Sequence, residues 1–513
     1  MNATDSLTAA RQRIETAYSP ELFQDLGHRL ADLLAEHLRT VEASNSVVLN
    51  WTDPRQLTEE ALQTVAKHEP AGQAPSPAEV PEVGERFAEL VRLALSRGIN
   101  LHDPRYVGHQ VPAPVPIAGL FDGMAAVTNQ PMAIYEMGPW GTAIEQAMFA
   151  RLAECIGWQG TDYGAVLTHG ASLANLTALL VARNVVLGES WERGVPLSLE
   201  SSPKLVVQGD AHYCIARSAG ILGLGTDNVV KAPLDTRRKM NPAALDEILS
   251  ELRRRGQPIV AVVACASATP IGAFDPLEEI ADICERHGVW LHVDAAHGGA
   301  ALMSAKHRHL VAGLERADSL TWDAHKMLFV PALCAFLFYK NKRHSYEAFR
   351  QNAPYLFDPS APGLADFDSG LRTVECTKRS AAMGLWGVWS LFGPRLFADM
   401  VDVTFDLGRQ LYEKLRASPD FQPLHEPECN IVMFRHIPEA LRGAPPEKIG
   451  WFQLQLRRAV IESGKFYLVP AAHEGVATLR CTLINPLTTT AHLDSLLEAL
   501  REYGRRIEQC PNA

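Results

Sequence analysis

The sequence has no run of about 18 uncharged apolar residues, no block of basic side chains and no pair of cysteines with two residues between them. The first absence excludes a transmembrane helix, so no membrane partner is expected. The second argues against nucleic acid as the main partner, because 48 Lys and Arg face 59 Asp and Glu for a net charge of −11. It says nothing about small anionic ligands, which need only local positive charge. The third bears on compartment. Nine cysteines are scattered at 155, 214, 265, 284, 334, 376, 429, 481 and 510, an odd number that fits reduced thiols in a cytoplasmic protein better than a disulfide framework. The first residues also lack the apolar core of a signal peptide. His residues nowhere show metal-ligand spacing, so no metal is expected. There is neither an internal repeat nor a low-complexity tract.

What is present is ordinary for a folded chain. Apolar residues make up 47% and charged residues 21% of 513, enough apolar surface to exclude disorder and too much length for one simple core. Residues 1–100 read as a helical segment. Leu22, Leu26, Leu30, Leu33, Leu34 and Leu38 recur at helical spacing and must bury their face on the main body or on a partner subunit. A Pro-rich linker follows from Pro70 to Pro81, then a helix over about Val83–Ser96. Residues 101–375 alternate strands with helices, which implies βαβ units and a mostly parallel sheet. The candidate strands are Ala165–Thr168, Lys204–Gln208, Ile259–Cys265, Val289–Val293, Ser319–Trp322 and Cys334–Tyr339. Residues 376–513 read as a small α+β domain.

Ligands of such sheets bind at the carboxyl ends of the strands, and four post-strand segments carry chemistry. Ala171 and Ser172 open a helix whose free N–H groups suit an anion, although an ordinary N-cap reads the same way. His212 follows a strand; it is either structural or a flat surface for a planar ligand. Asp294 ends an apolar strand, where a buried carboxylate needs a cation or amide donors. Lys326 follows another strand, as a surface lysine or as an amine that forms a Schiff base. Together they describe an anion cradle, a planar stacker, a buried carboxylate and an amine, the four groups that pyridoxal phosphate needs.

Longer segments carry a resemblance. They are HVDAAHGG at 292–299, DAHK within 319–327, PYLF at 354–357, GAFDPLEEIADIC at 272–284, LRCTLINP at 479–486, YEMGP at 135–139 and PRY at 104–106. Over roughly residues 20–505 the chain resembles the group II pyridoxal-phosphate-dependent amino-acid decarboxylases, and in wording their glutamate and cysteine-sulfinate branch. The resemblance implies an α/β fold of type I, like aspartate aminotransferase, with a mostly parallel seven-stranded sheet. It implies pyridoxal 5'-phosphate as cofactor, a homodimer, and decarboxylation of an L-amino acid, with a small acidic substrate expected. Lys326 is then the Schiff-base lysine, Asp294 the partner of the pyridine nitrogen and His212 the ring stacker. Ala296 lines the other ring face, and Cys265 belongs to the cofactor segment. Ala171, Ser172 and Asp323 lie where the family holds the phosphate, with His325 beside it. Tyr355 is the proton donor, Arg480 grips a carboxylate, and His109 and Gln110 fall near pocket-lining positions.

Departures from the family's wording cluster in a few places. Cys265 and Ser267 replace a Thr and a Gly of a Thr-rich segment. His297 replaces an aromatic residue, His169 and Ala171 depart from a Ser-Gly-Gly wording, and Ala133 replaces a bulky side chain. These put the usual substrate preference in question. The remaining readings are a decarboxylase of an aromatic or diamino acid, a same-fold lyase or transaminase, and a serine hydrolase using Ser172 in a nucleophile elbow.

Overall fold

The computed structural model describes residues 3–66, 80–195, 202–349 and 365–509. The Pro-rich linker therefore lies largely outside the described residues, and Tyr355 and Cys510 lie outside them altogether.

Seven strands form the main sheet: β1 (Gly164–Thr168), β2 (Lys204–Gln208), β3 (Val229–Ala232), β4 (Ile259–Cys265), β5 (Leu291–Asp294), β6 (Ser319–Asp323) and β7 (Ala335–Tyr339). Their order is β1-β7-β6-β5-β4-β2-β3, and only β7 runs against its neighbours. The expected mostly parallel seven-stranded α/β sheet is therefore present. Strands buried on both faces read as continuous apolar runs, and every residue of Ile259–Cys265 is buried. Sequence reading missed β3. That strand is short, lies on the sheet edge, carries Lys231 and is only partly buried, so it lacks the apolar run that marked the others. The helix Ala171–Leu187 packs its buried Ala174, Ala178, Leu179 and Val181 into one cluster with Val166, Val207, Val263 and Leu337 of the strands.

The two expected helices over Ala381–Phe392 and Leu396–Ala417 are present within Met383–Ala417, separated by a kink at Gly393 (φ 70°, ψ 177°) before Pro394. Proline's missing N–H and fixed φ account for the break. The later strands are β8 (Phe421–Pro423), β9 (Ile431–His436), β10 (Val469–His473) and β11 (Val476–Thr482), in the order β10-β11-β9-β8.

Contacts divide the chain into two compact units. One comprises Met1–Gly108, His436–Leu479 and Leu487–Ala513; the other comprises His109–Arg435 and Arg480–Pro486. In the first, the helix Pro20–Glu42 begins where Ser19 Oγ accepts the Leu22 N–H at 3.2 Å, with Pro20 at its first position. Its leucine face stays partly exposed in the single chain, Leu34 by 36%. The second unit contains the whole seven-stranded sheet and also Arg480. No helix among the described residues is long and apolar enough to cross a membrane. All eight described cysteines are free.

Candidate active site

Strands β1, β2, β4, β5 and β6 run in one direction, so their carboxyl ends share one edge of the sheet. Register then brings Cys265 beside Asp294, and Asp294 beside Thr321. Residues far apart in sequence meet because parallel strands end together.

After β1, Gly170 takes φ +109°, a conformation L side chains rarely adopt, and its carbonyl receives the Leu173 N–H at 3.0 Å and the Ala174 N–H at 3.1 Å. Ala171 and Ser172 form the first turn of the helix, whose leading N–H groups have no partner within it. His169, a departure from the family's wording, pairs through Nδ1 with the Glu375 carboxylate, both half-buried.

Asp294 at the end of β5 is 8% exposed. Its Oδ2 accepts from Asn175 Nδ2 at 2.9 Å, and its Oδ1 accepts from the Ala296 N–H at 3.2 Å. Ala296 is itself buried. Two residues on, Gly298 approaches so closely that a Cβ would stand 2.7 Å from the Ala266 carbonyl and 2.5 Å from the Phe274 ring, which only glycine permits. His212 follows β2 and is half-buried. Burial lowers its pKa, opposed by the charge of Asp294 and reinforced by Lys326. The imidazole thus stands within electrostatic reach of both.

Lys326 lies one turn beyond β6. Its Nζ is 3.3 Å from Asp323 Oδ2, and His325 Nε2 is 3.5 Å from the same oxygen. Both Asp323 oxygens are buried without a hydrogen-bond partner, and burial raises this carboxyl's pKa against the pull of Lys326 and His325. Cys265 is buried, its N–H donates to Asp275 Oδ2 at 2.7 Å, and burial drives its thiol well above the ordinary range. It therefore stays protonated.

Arg480 on β11 is 8% exposed, and its Nε and Nη2 have no hydrogen-bond partner. Burial lowers the guanidinium to about 10. A buried cation with two unpartnered nitrogens is costly unless an anion arrives, and a planar carboxylate matches that fork. His297, fully buried, faces both Arg480 and Lys326 electrostatically. Its Nε2 lies 2.8 Å from Asn430 Oδ1, while Nδ1 has no partner. His109 is exposed and Gln110 half-buried on the irregular stretch before the helix Pro116–Thr128.

Asp294 bonds to an amide and a backbone N–H rather than to an imidazole, so no Ser-His-Asp relay forms on Ser172 among the described residues. Sequence reasoning missed Asn175 and Asn430. A single asparagine in an apolar stretch gives no signal until its partner is known.

One pH dependence follows from His297. Burial lowers its pKa to about 3, so the unfolded chain binds a proton at His297 that the folded chain does not. That contribution to stability is present above the unfolded value and is lost as pH falls below it. The stability advantage of wild type over His297→Phe is expected to shrink by about 2 kcal/mol from pH 7 to pH 5. Urea unfolding of both proteins at the two pH values measures it; a constant difference would show that His297 charges within the folded protein.

Comparison with known proteins adds to this geometry. The family model described as "Pyridoxal-dependent decarboxylase conserved domain" matches residues 72–437. The acidic amino acid decarboxylase GADL1 of Bos taurus is 34% identical over 391 residues, covering 74% of each chain. The cysteine sulfinic acid decarboxylase of Rattus norvegicus is 31% identical over 437 residues, covering 83% of this chain and 87% of that one. The crystal structure of mouse CSAD superposes with a TM-score of 0.82 at 27% identity, covering 95% of this chain and 99% of that one.

Proposed function

Because the chain belongs to the pyridoxal-dependent decarboxylase family, we propose that it releases the α-carboxyl group of a small acidic L-amino acid as carbon dioxide and leaves the amine. It is an amino-acid decarboxylase, and its cofactor is pyridoxal 5'-phosphate. Glutamate, aspartate and cysteine sulfinate are the substrates in view. The observation that carries the reading is the buried Arg480, with Nε and Nη2 unpartnered, in one unit with the Asp294–Asn175 and Lys326–Asp323 pairs.

The residues present fit the cofactor. When bound, pyridoxal phosphate supplies an electron sink for the pair left on Cα as carbon dioxide departs. Lys326 would hold its aldehyde, and Asp294 its ring nitrogen. His212 and Ala296 would flank the ring, and Ala171 and Ser172 would take the phosphate. A carboxylate repels a phosphate, so we assign Asp323 to holding Lys326 and His325, which its two contacts support. Cys265 would serve the cofactor segment as a neutral thiol. Arg480 would bind the substrate carboxylate in a bidentate clamp and so choose which Cα bond breaks. Tyr355 is assigned the proton returned to Cα, and His109 and Gln110 a place in the pocket lining, on the resemblance alone.

We further infer a homodimer, supported by the partly exposed leucine face of Pro20–Glu42, and a cytoplasmic protein, supported by the eight free cysteines. Carbon dioxide release measured across glutamate, aspartate, cysteine sulfinate, 2,4-diaminobutyrate and the aromatic amino acids tests the substrate. An acidic substrate is expected to exceed the aromatic ones in kcat/KM, in line with the acidic substrates that the relatives are named for. Preference for an aromatic or diamino acid would overturn the acidic assignment.

A further inference from the structure

We infer that Trp290, Ser319, His292 and Asn175 form a one-way chain of hydrogen-bond donors that ends on Asp294 and holds its carboxylate in orientation for the cofactor's ring nitrogen. The inference rests on the function proposed above and concerns positioning residues, none of which touches the substrate.

The chain is continuous. Trp290 Nε1 donates to Ser319 Oγ at 2.9 Å, and Ser319 Oγ lies 2.9 Å from His292 Nδ1. His292 Nε2 lies 3.0 Å from Asn175 Oδ1, and Asn175 Nδ2 donates to Asp294 Oδ2 at 2.9 Å. Asn175, His292 and Ser319 are each 0% exposed and Trp290 is 6% exposed, so no water competes along the middle of the path.

Its direction is forced from both ends. An indole N–H can only donate and a carboxylate can only accept. Asn175 must therefore turn its NH2 toward Asp294, which leaves its oxygen for His292. His292 must carry its proton on Nε2. Burial lowers this histidine to about 4, so it holds one proton and Nδ1 is bare. Ser319 must then give its O–H to Nδ1 and receive the indole N–H on a lone pair. Each partner fixes the tautomer or flip of the next.

The consequence lies at Asp294. A locked amide keeps its NH2 on the Asp294 oxygen and cannot turn its own oxygen toward it. Parallel strands make this possible: His292 and Asp294 alternate on one face of β5, while His292 pairs in register with Ser319 on β6.

The test uses the holoenzyme with Ser319→Ala and Ser319→Thr. Ser319→Ala removes the donor that selects the His292 tautomer, so Asn175 can flip. Its kcat is expected to fall about tenfold with KM within about twofold. The absorption bands of the bound cofactor should change in ratio at fixed pH, and Ser319→Thr, which keeps the hydroxyl, should restore both. A purely structural role would lower the melting temperature and leave the spectrum of the folded enzyme as it was. That result, or wild-type kcat and spectrum in Ser319→Ala, would overturn the chain. Should Ser319→Ala not fold, Trp290→Phe removes the terminal donor alone; a two- to threefold change in the same direction is expected, and none would count against the proposal. Failure of the underlying reading is seen separately, in a wild-type protein that does not bind pyridoxal phosphate.

Discussion

Lys326→Ala is expected to release carbon dioxide at least about ten-thousandfold more slowly than wild type, because it removes the amine proposed to bond the cofactor's aldehyde. The electrostatics make the variant informative beyond activity. In wild type the Lys326 ammonium lies 3.3 Å from an Asp323 carboxyl whose oxygens are buried and without hydrogen bonds. Removing the cation leaves Asp323 with His325 alone, and burial then favours its neutral form more strongly. The variant should still fold and should still take up pyridoxal phosphate reversibly through the phosphate cradle. Borohydride should fix the cofactor to wild type at Lys326, identified by peptide mass, and fix none to the variant. Carbon dioxide release within tenfold of wild type, or borohydride labelling at another lysine, would remove Lys326 from the reaction.

Arg480→Met carries the second large effect, and its two parts have opposite signs. Catalysis should suffer: loss of the clamp is expected to lower kcat/KM by about a hundred- to a thousandfold, mostly through KM. Stability should not. Arg480 is buried, its Nε and Nη2 lack partners, and burial already lowers it to about 10, so the unliganded protein bears an uncompensated cation. Replacing even a buried ion pair by apolar side chains of similar volume is often neutral or stabilising by about 1–4 kcal/mol, and an unpaired cation has no partner's attraction to lose. The melting temperature of the substrate-free variant should therefore equal or exceed that of wild type. A variant that melts lower while keeping its KM would mean that Arg480 is a structural cation and grips no substrate.

These two residues differ in how far the sequence exposed them. Lys326 was marked by its place directly after a strand, which a surface lysine would share, and it gained meaning only beside Asp294, His212 and the helix start at Ala171. Arg480 was legible only through its LRCTLINP wording, because one arginine in a strand carries no sign of which unit it joins. The contacts place it with His109–Arg435, more than forty residues back along the chain, and not with the residues just before it. Asn175 illustrates the opposite limit. It sits among the apolar residues of Ala171–Leu187, and nothing in that stretch announces a partner 119 residues away on β5.

What the sequence determined by itself was the set of buried strands, the residues at their carboxyl ends and the cofactor they suit. Each of these is local: an apolar run long enough to be covered on both faces, followed by a small, charged or nucleophilic side chain. The pairing of those side chains was decided only in three dimensions. Strand order and register set Cys265 beside Asp294 and His292 beside Ser319, and helix packing set Asn175 across both. The physical reason is that burial is selected residue by residue, whereas hydrogen-bond partners, and the direction in which their protons point, depend on where parallel strands stop relative to one another.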